Sequence, residues 1–243
     1  MNRLLLLVKG ELQRLHKYNV TSISFAVAII WAAFLYFIGD DLLPTLLPLV
    51  LLVDATMMSL MYVGAIMYFE KSESTISTLL VTPTTKDELL LAKIISNTAH
   101  NIFSSGLIIL AFTFLSDIVI NYFFIFLAIL ISTAVHTVIG ICMSYTTKDF
   151  TRMLMRVISF AFILMIPTIL FDLGLVEGTF WEVINLLNPV NGALELLNVS
   201  FENAEVTWKF YASLGYLIVG GIALYYFYAK PKFQEYAVRQ SGV

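Results

Sequence analysis

Apolar residues in this chain come in long unbroken runs instead of alternating with polar ones. Six runs stand out, over residues 20–38, 44–69, 89–115, 122–145, 157–175 and 208–229. Each exceeds the roughly 18 apolar residues that cross a bilayer as a helix. Lipid offers the backbone no hydrogen-bond partners, so a spanning segment of this kind must be helical. A membrane β-barrel would show segments of about ten residues with alternating hydropathy. The pattern therefore predicts an all-α integral membrane protein with six transmembrane helices, built as one transmembrane domain over residues 1–243.

Composition supports that class. The chain is 59% hydrophobic and 13% charged, with a mean hydropathy of +0.87. A soluble globule carries roughly 25% charged residues. The net charge of −3 leaves no basic surface for nucleic acid. Cys142 stands alone in an apolar run and reads as a packed thiol, and His100 and His136 fall on different helices without further ligands, so no metal site is expected. The apolar run at residues 4–8 is short and is followed by Lys9, Glu11, Arg14 and Lys17, unlike a signal peptide.

Charge gives an orientation. Arg3, Lys9, Arg14 and Lys17 precede the first run. Lys71, Lys86 and Lys93 follow the second, Lys148, Arg152 and Arg156 follow the fourth, and Lys230, Lys232 and Arg239 follow the sixth. Thirteen of the fourteen Lys and Arg thus fall on one side, with Lys209 on the other. The positive-inside rule places that side, and both termini, in the cytoplasm of a bacterial cell membrane. The opposite loops are acidic, with Asp40, Asp41, Asp117, Glu177, Glu182, Glu195, Glu202 and Glu205.

Three segments lie outside the runs. Residues 1–19 place Leu5, Val8, Leu12 and Leu15 at helical spacing beside basic residues, which predicts a helix lying in the interface. Residues 176–207 are too apolar for a solvated loop and too short for a span. Asn188-Pro189 divides them into two short helical pieces that include Trp181, a re-entrant or extracellular cap. Residues 70–88 are charged and structured. Ile76, Leu79 and Leu80 give one apolar helical edge from Glu70 to Leu80, Val81-Thr82-Pro83 ends it, and Thr85-Lys86-Asp87-Glu88 restarts a helix as a capping box.

Polar residues inside the spans are the remaining candidates. Asp54 lies well within the second run, where a carboxylate is unfavourable unless paired, protonated or facing water. Asn97, Asn101 and Ser104 share one face of the third, bordered by His100; Thr133, His136, Thr137 and Gly140 share a face of the fourth. Such groups serve as interhelical hydrogen-bonding glue or as the lining of a polar substrate path.

The stretch FEKSESTISTLLVTPTTKDELLLAKI resembles the signature region of the type-two ABC exporter permeases, carried here by Glu70, Glu73, Thr78-Leu79, Leu80-Val81-Thr82-Pro83, Glu88-Leu89-Leu90 and Lys93. The family's usual Gly-Thr before the Leu run is replaced by Ser74-Thr75 and Ser77-Thr78. Asn188-Pro189 resembles the family's Asn-Pro element before the last span. The stretch from Pro48 to Pro83, with Asp54 and Gly64, is similar to the fluoroquinolone-export branch. The resemblance implies a permease subunit paired with a second permease, identical or homologous, and with a cytoplasmic ATPase dimer that carries the ATP and Mg²⁺. It implies that Glu70, Glu73, Ile76, Leu79, Leu80, Thr82, Pro83 and Glu88 form the coupling segment, and that the cargo is an amphipathic small molecule, drug or peptide moving outward. This chain contains no G-x-x-x-x-G-K-[ST] phosphate loop, so it is expected to be a transport subunit and not an enzyme. The rival readings are an ion-coupled secondary transporter using Asp54 and the histidines, and a membrane-embedded enzyme, for which no HEXXH or GxSxG is present.

Overall fold

A computed structural model describes residues 3–38, 42–115, 117–147, 149–202 and 204–238. Asp40, Asp41, Lys148 and Arg239, used above in the charge argument, lie outside the described residues. The predicted class holds: among the described residues six helices are long and apolar enough to cross a membrane, and the protein is a multi-pass, all-α membrane protein. In chain order the elements are α1 (Arg3–Lys17), α2 (Val20–Phe37), α3 (Leu43–Val53), α4 (Ser59–Ser72), α5 (Thr75–Leu80), α6 (Lys86–Leu115), α7 (Tyr122–Ser144), α8 (Phe150–Phe160), α9 (Ile166–Asp172), α10 (Thr179–Leu186), α11 (Pro189–Asn198), α12 (Trp208–Leu224) and α13 (Lys230–Val238). Single wide π-helical turns, at Asp54–Met58, Ala161–Met165 and Tyr225–Ala229, join α3 to α4, α8 to α9 and α12 to α13. Spans one to six are therefore α2, α3–α4, α6, α7, α8–α9 and α12–α13.

The spans are not equivalent. Span two is 78% buried along its apolar stretch and spans one, five and six only 17–22%. Span two is thus the axis, with spans three and four packed on it. Gly140 of span four makes the closest approach: a Cβ there would meet Val63 Cγ1 at 2.6 Å and the Leu60 carbonyl at 3.1 Å. The outer spans present Ile29, Ile30, Phe162, Ile163, Val219 and Phe227 outward, as helices facing lipid do.

Helix ends follow local chemistry. Thr85 and Glu88 form the capping box that starts α6: the Glu88 amide donates to Thr85 Oγ1 at 3.1 Å and the Thr85 amide to the Glu88 carboxylate at 2.8 Å. Asn121, Asp149 and Asn188 cap α7, α8 and α11 with their side chains, the arrangement Asn and Asp favour at this position. Pro189 occupies the first turn of α11, where its missing N–H is no loss.

The segment from span five to span six divides as the Asn-Pro pair predicts, but its halves differ. The second half, α11, is inserted, with Val190, Ala193, Leu194, Leu196 and Leu197 buried against α12, α7 and α3. The first half, α10, exposes Phe180, Val183, Leu186 and Leu187, with Trp181 half-buried. Asn188 is the hinge, donating to the Leu164 carbonyl at 2.7 Å and to Thr168 Oγ1 at 2.8 Å in span five. An isolated antiparallel bridge between Ile120 and Phe201 ties the end of this cap to the loop between spans three and four.

Two expectations change at the other end of the bundle. The 70–80 segment is not one helix: span two continues through Ser72, Ser74 turns left-handed at φ 56°, and only Thr75–Leu80 forms the short helix. Glu70 therefore belongs to the span. In α1 the predicted single stripe is split. Leu15 is buried, Val8 half-buried, and Leu5 and Leu12 exposed, while the charged Glu11 sits on the inner face. Leu5 and Leu12 point away from the bundle, and the inward charge of Glu11 is matched by partners far away in sequence.

Candidate functional site

Two buried polar clusters share spans two and three. The first lies where α1 crosses them. Glu11 and Arg14 of α1 meet Glu70 from the end of span two and Lys93 from the first turns of span three. Arg14 Nη1 donates to Glu11 Oε1 and to Glu70 Oε1, both at 2.7 Å, and Lys93 Nζ donates to Glu11 Oε1 at 2.9 Å and also to Glu70 Oε2. Glu11, Glu70 and Lys93 are each at most 3% exposed. Two acids and two bases make the cluster neutral, and each carboxylate accepts more than one donor. That pairing is what permits charge in this setting. Sequence reasoning named Glu70 and Lys93 within one signature stretch without pairing them, and it did not count Glu11 and Arg14 among the site residues. Their one signal is Glu11, the sole acid of α1, placed three residues before Arg14.

Around this junction the charged segment is fastened on several sides. Lys17 Nζ and the Tyr18 hydroxyl donate to the Glu73 carboxylate at 3.2 and 2.8 Å, and together they hold it below the ordinary carboxylate range. Arg3 Nη1 donates to the Pro83 carbonyl at 2.7 Å. On the far side Lys230 pairs with Asp87 at 2.8 Å, the Tyr225 hydroxyl donates to the same carboxylate at 2.6 Å, and the Tyr236 hydroxyl donates to the Met67 carbonyl at 2.9 Å. Ile76 is buried as the anchor of α5, with Leu79 and Leu80 half-buried beside Met67, Leu89 and Phe233. The face left outward consists of Ser77, Thr78, Val81, Thr82 and Pro83, and Val81 is 85% exposed. The result is an exposed tip, carrying Val81 among hydroxyl residues, on a fixed base.

The second cluster lies deeper between spans two, three and four. Asp54 begins the π-helical turn of span two and is 0% exposed. Its carboxylate accepts from Ser104 Oγ at 3.1 Å and from Ser105 Oγ at 2.5 Å, both on span three. Toward the α1 end, Asn97 Nδ2 donates to Thr137 Oγ1 at 2.7 Å and to Ser59 Oγ at 3.1 Å, joining all three spans in one rung. Asn101, between these levels on span three, is buried, and neither atom of its amide has a protein partner. Asn97 Oδ1, Ser132 Oγ, Thr133 Oγ1 and His136 Nε2 are likewise buried without one.

The histidines do not join Asp54 in a relay of hydrogen bonds. His100 Nε2 meets Ser24 Oγ of span one at 2.8 Å, and its ring packs edge-on to Tyr62. His136 Nδ1 meets the Ser132 carbonyl of its own helix at 2.8 Å. Of the expected path residues, the structure brings Asp54, Asn97 and Asn101 to one seam and turns His100 to span one. Ser59 and Ser105 complete that seam and were not picked out from sequence. The adjacent Ser104-Ser105 pair within an apolar run was the available signal.

Two surface grooves lie elsewhere. One of about 450 Å³ runs between spans three, four and six, walled by Leu91, Ile94, Val135, Ile218 and Gly221, with Asp87 at its mouth. A second of about 290 Å³ lies by the cap, lined in part by Asn185, Glu195, Trp208 and Lys209.

The model of the fluoroquinolones export permease protein family matches residues 2–241. The chain is 27% identical over 217 residues to fluoroquinolones export permease proteins of two Mycobacterium tuberculosis strains, CDC 1551 and H37Rv, covering 88% of this chain and 88% of each relative. With nearly its whole length matched, six apolar spans, and the charged segment after the second of them, the chain belongs to the fluoroquinolones export permease protein family.

Proposed function

We propose that this protein is the membrane subunit of an ATP-driven exporter that moves amphipathic drug-like molecules outward and takes its energy from a separate cytoplasmic ATPase. The observation that carries this reading is the Thr75–Pro83 tip. It is mostly exposed, it ends in the outward-facing Val81, and its base is fixed to α1, to both neighbouring spans and to span six. A rigid base lets a push on the tip reach the adjoining ends of spans two and three. The basic residues gathered at this end support placing it in the cytoplasm. The chain has no phosphate loop of its own, so ATP and Mg²⁺ belong to the partner.

The polar seam is then the place where spans two, three and four would separate during transport. Asp54, Asn97, Asn101 and His136 are the groups a moving cargo meets there, and the cap around Trp181, Asn188 and Pro189 closes the outer end. A second permease, identical or homologous, would pack on the little-buried outer spans and complete the path. The test is a mild-detergent pull-down of the full chain from its membrane. A soluble ATPase in stoichiometric amount supports the reading. A chain that comes down alone, yet moves drug on an ion gradient, rejects it.

A further inference from the structure

Asp54 presents an electrostatic problem that the coupling reading does not address. It is a carboxylate with no exposure in the middle of span two. Its described hydrogen bonds come from two neutral hydroxyls, Ser104 and Ser105, and no described ion pair reaches it. Lys93, the one buried lysine or arginine among the described residues, is already committed to Glu11 and Glu70. A lone charge in this setting is costly, and hydroxyl donors alone offset only part of the penalty.

The surrounding atoms have a definite character. Asp54 contributes two carboxylate oxygens, and Ser104 and Ser105 contribute a hydroxyl oxygen each, within 3.1 Å of it. Asn101 lies on the same side of span three, about one turn away. It is 0% exposed, and its amide oxygen has no protein partner. The backbone here is the wide π-helical turn that Asp54 opens, a distortion that recurs at functional sites. Oxygen-only donors suit a hard cation. One carboxylate balances one positive charge, whereas Mg²⁺ and Ca²⁺ sites use several charged ligands or waters. Asp54, Asn101, Ser104 and Ser105 are all 0% exposed, so an ion held there would be shielded from solvent.

We propose that Asp54, Ser104, Ser105 and Asn101 form a binding site for a single monovalent cation of sodium size, held between spans two and three. The bound ion neutralises Asp54 and gives the Asn101 oxygen its partner, so it fastens the two spans together. The site is independent of the ATPase, and its test needs neither nucleotide nor drug.

The full chain is purified in lipid nanodiscs, and its thermal unfolding is followed in NaCl and in choline chloride at equal ionic strength, with ²²Na⁺ binding measured alongside. Sodium at about 100-fold above its Kd should raise Tm by roughly 5 °C. Asp54→Asn should abolish both the shift and the bound ²²Na⁺. Asn101→Ala and Ser105→Ala, each removing one ligand, should move the sodium titration about tenfold to higher concentration, which keeps the test decisive if Asp54→Asn does not fold. Ser159→Ala, on exposed span five, should behave as the unaltered protein. The proposal is overturned if Tm is the same in sodium and choline, if Asp54→Asn retains the shift, or if stability follows pH alone with no dependence on the cation.

Discussion

The junction at Glu11, Arg14, Glu70 and Lys93 and the seam around Asp54 are built on the same two spans, and both bury charge. They treat it in opposite ways. At the junction every charge faces an opposite one, and the carboxylates accept from more than one donor. In the seam a single carboxylate meets only hydroxyls, and Asn101 is left without a protein partner. A saturated cluster resists change. An unsaturated one is held ready for something else, whether an ion or a separation of the helices. The difference teaches that burial of polar groups does not by itself mark a functional site; the balance of donors, acceptors and charge does.

The sharpest way to break the contrast is at the junction. Glu70→Ala leaves Lys93 buried and short of a partner, and should cost about 3–5 kcal/mol of stability. Replacing Glu70 and Lys93 together with Met should cost much less, which unfolding in detergent would show. Next is the close approach that holds the seam's walls: Gly140→Ala forces a methyl into Val63 and the Leu60 backbone, and should cost about 1–3 kcal/mol. In sodium-free buffer Asp54→Asn should then change stability by only about 1 kcal/mol or less, since the amide oxygen still accepts from a serine hydroxyl, while export of a cationic drug falls. If that variant unfolded as readily as Glu70→Ala, the two clusters would be alike and the distinction would be wrong.

The smallest effect is at the rim. The Glu73 carboxyl is held low by Tyr18 and Lys17, so its tether is complete above the ordinary carboxylate pKa of about 4. It is lost only as pH falls through the depressed value. A fluorophore on α1 should report the helix docked at neutral pH and loosened in strong acid, and Glu73→Gln should remove that step. A step appearing between neutral and mildly acid pH would contradict the assignment.

Much of the architecture was legible in the sequence because lipid makes it so: a run of apolar residues has one way to cross. The capping box at Thr85 and Glu88 and the Asn188-Pro189 break were also readable, since each is a local device whose partners lie within a few residues. The pairing of Glu11 with Lys93, 82 residues apart, was not. Helical periodicity gave α1 one apolar stripe, yet of that stripe only Leu15 is fully buried, and the charged Glu11 faces inward. Glu70 was read into the exposed segment for the same reason, since its sequence neighbours are polar and its partners are distant. In the seam, Asp54 and Asn101 were visible as polar residues in apolar runs. Which of them would be satisfied depended on the register of span three against span two, which no single segment carries.

On the proposed function, the Thr75–Pro83 tip passes the motion of a separate ATPase to spans two and three. The variant to measure is Val81→Asp, because Val81 is 85% exposed and its replacement removes little packing, unlike changes at the half-buried Leu79 and Leu80. A pull-down with a parallel unfolding curve decides it. The account predicts an unchanged Tm together with loss of the co-purifying ATPase and of drug export. Retention of both ATPase and export in a stably folded Val81→Asp protein would contradict it.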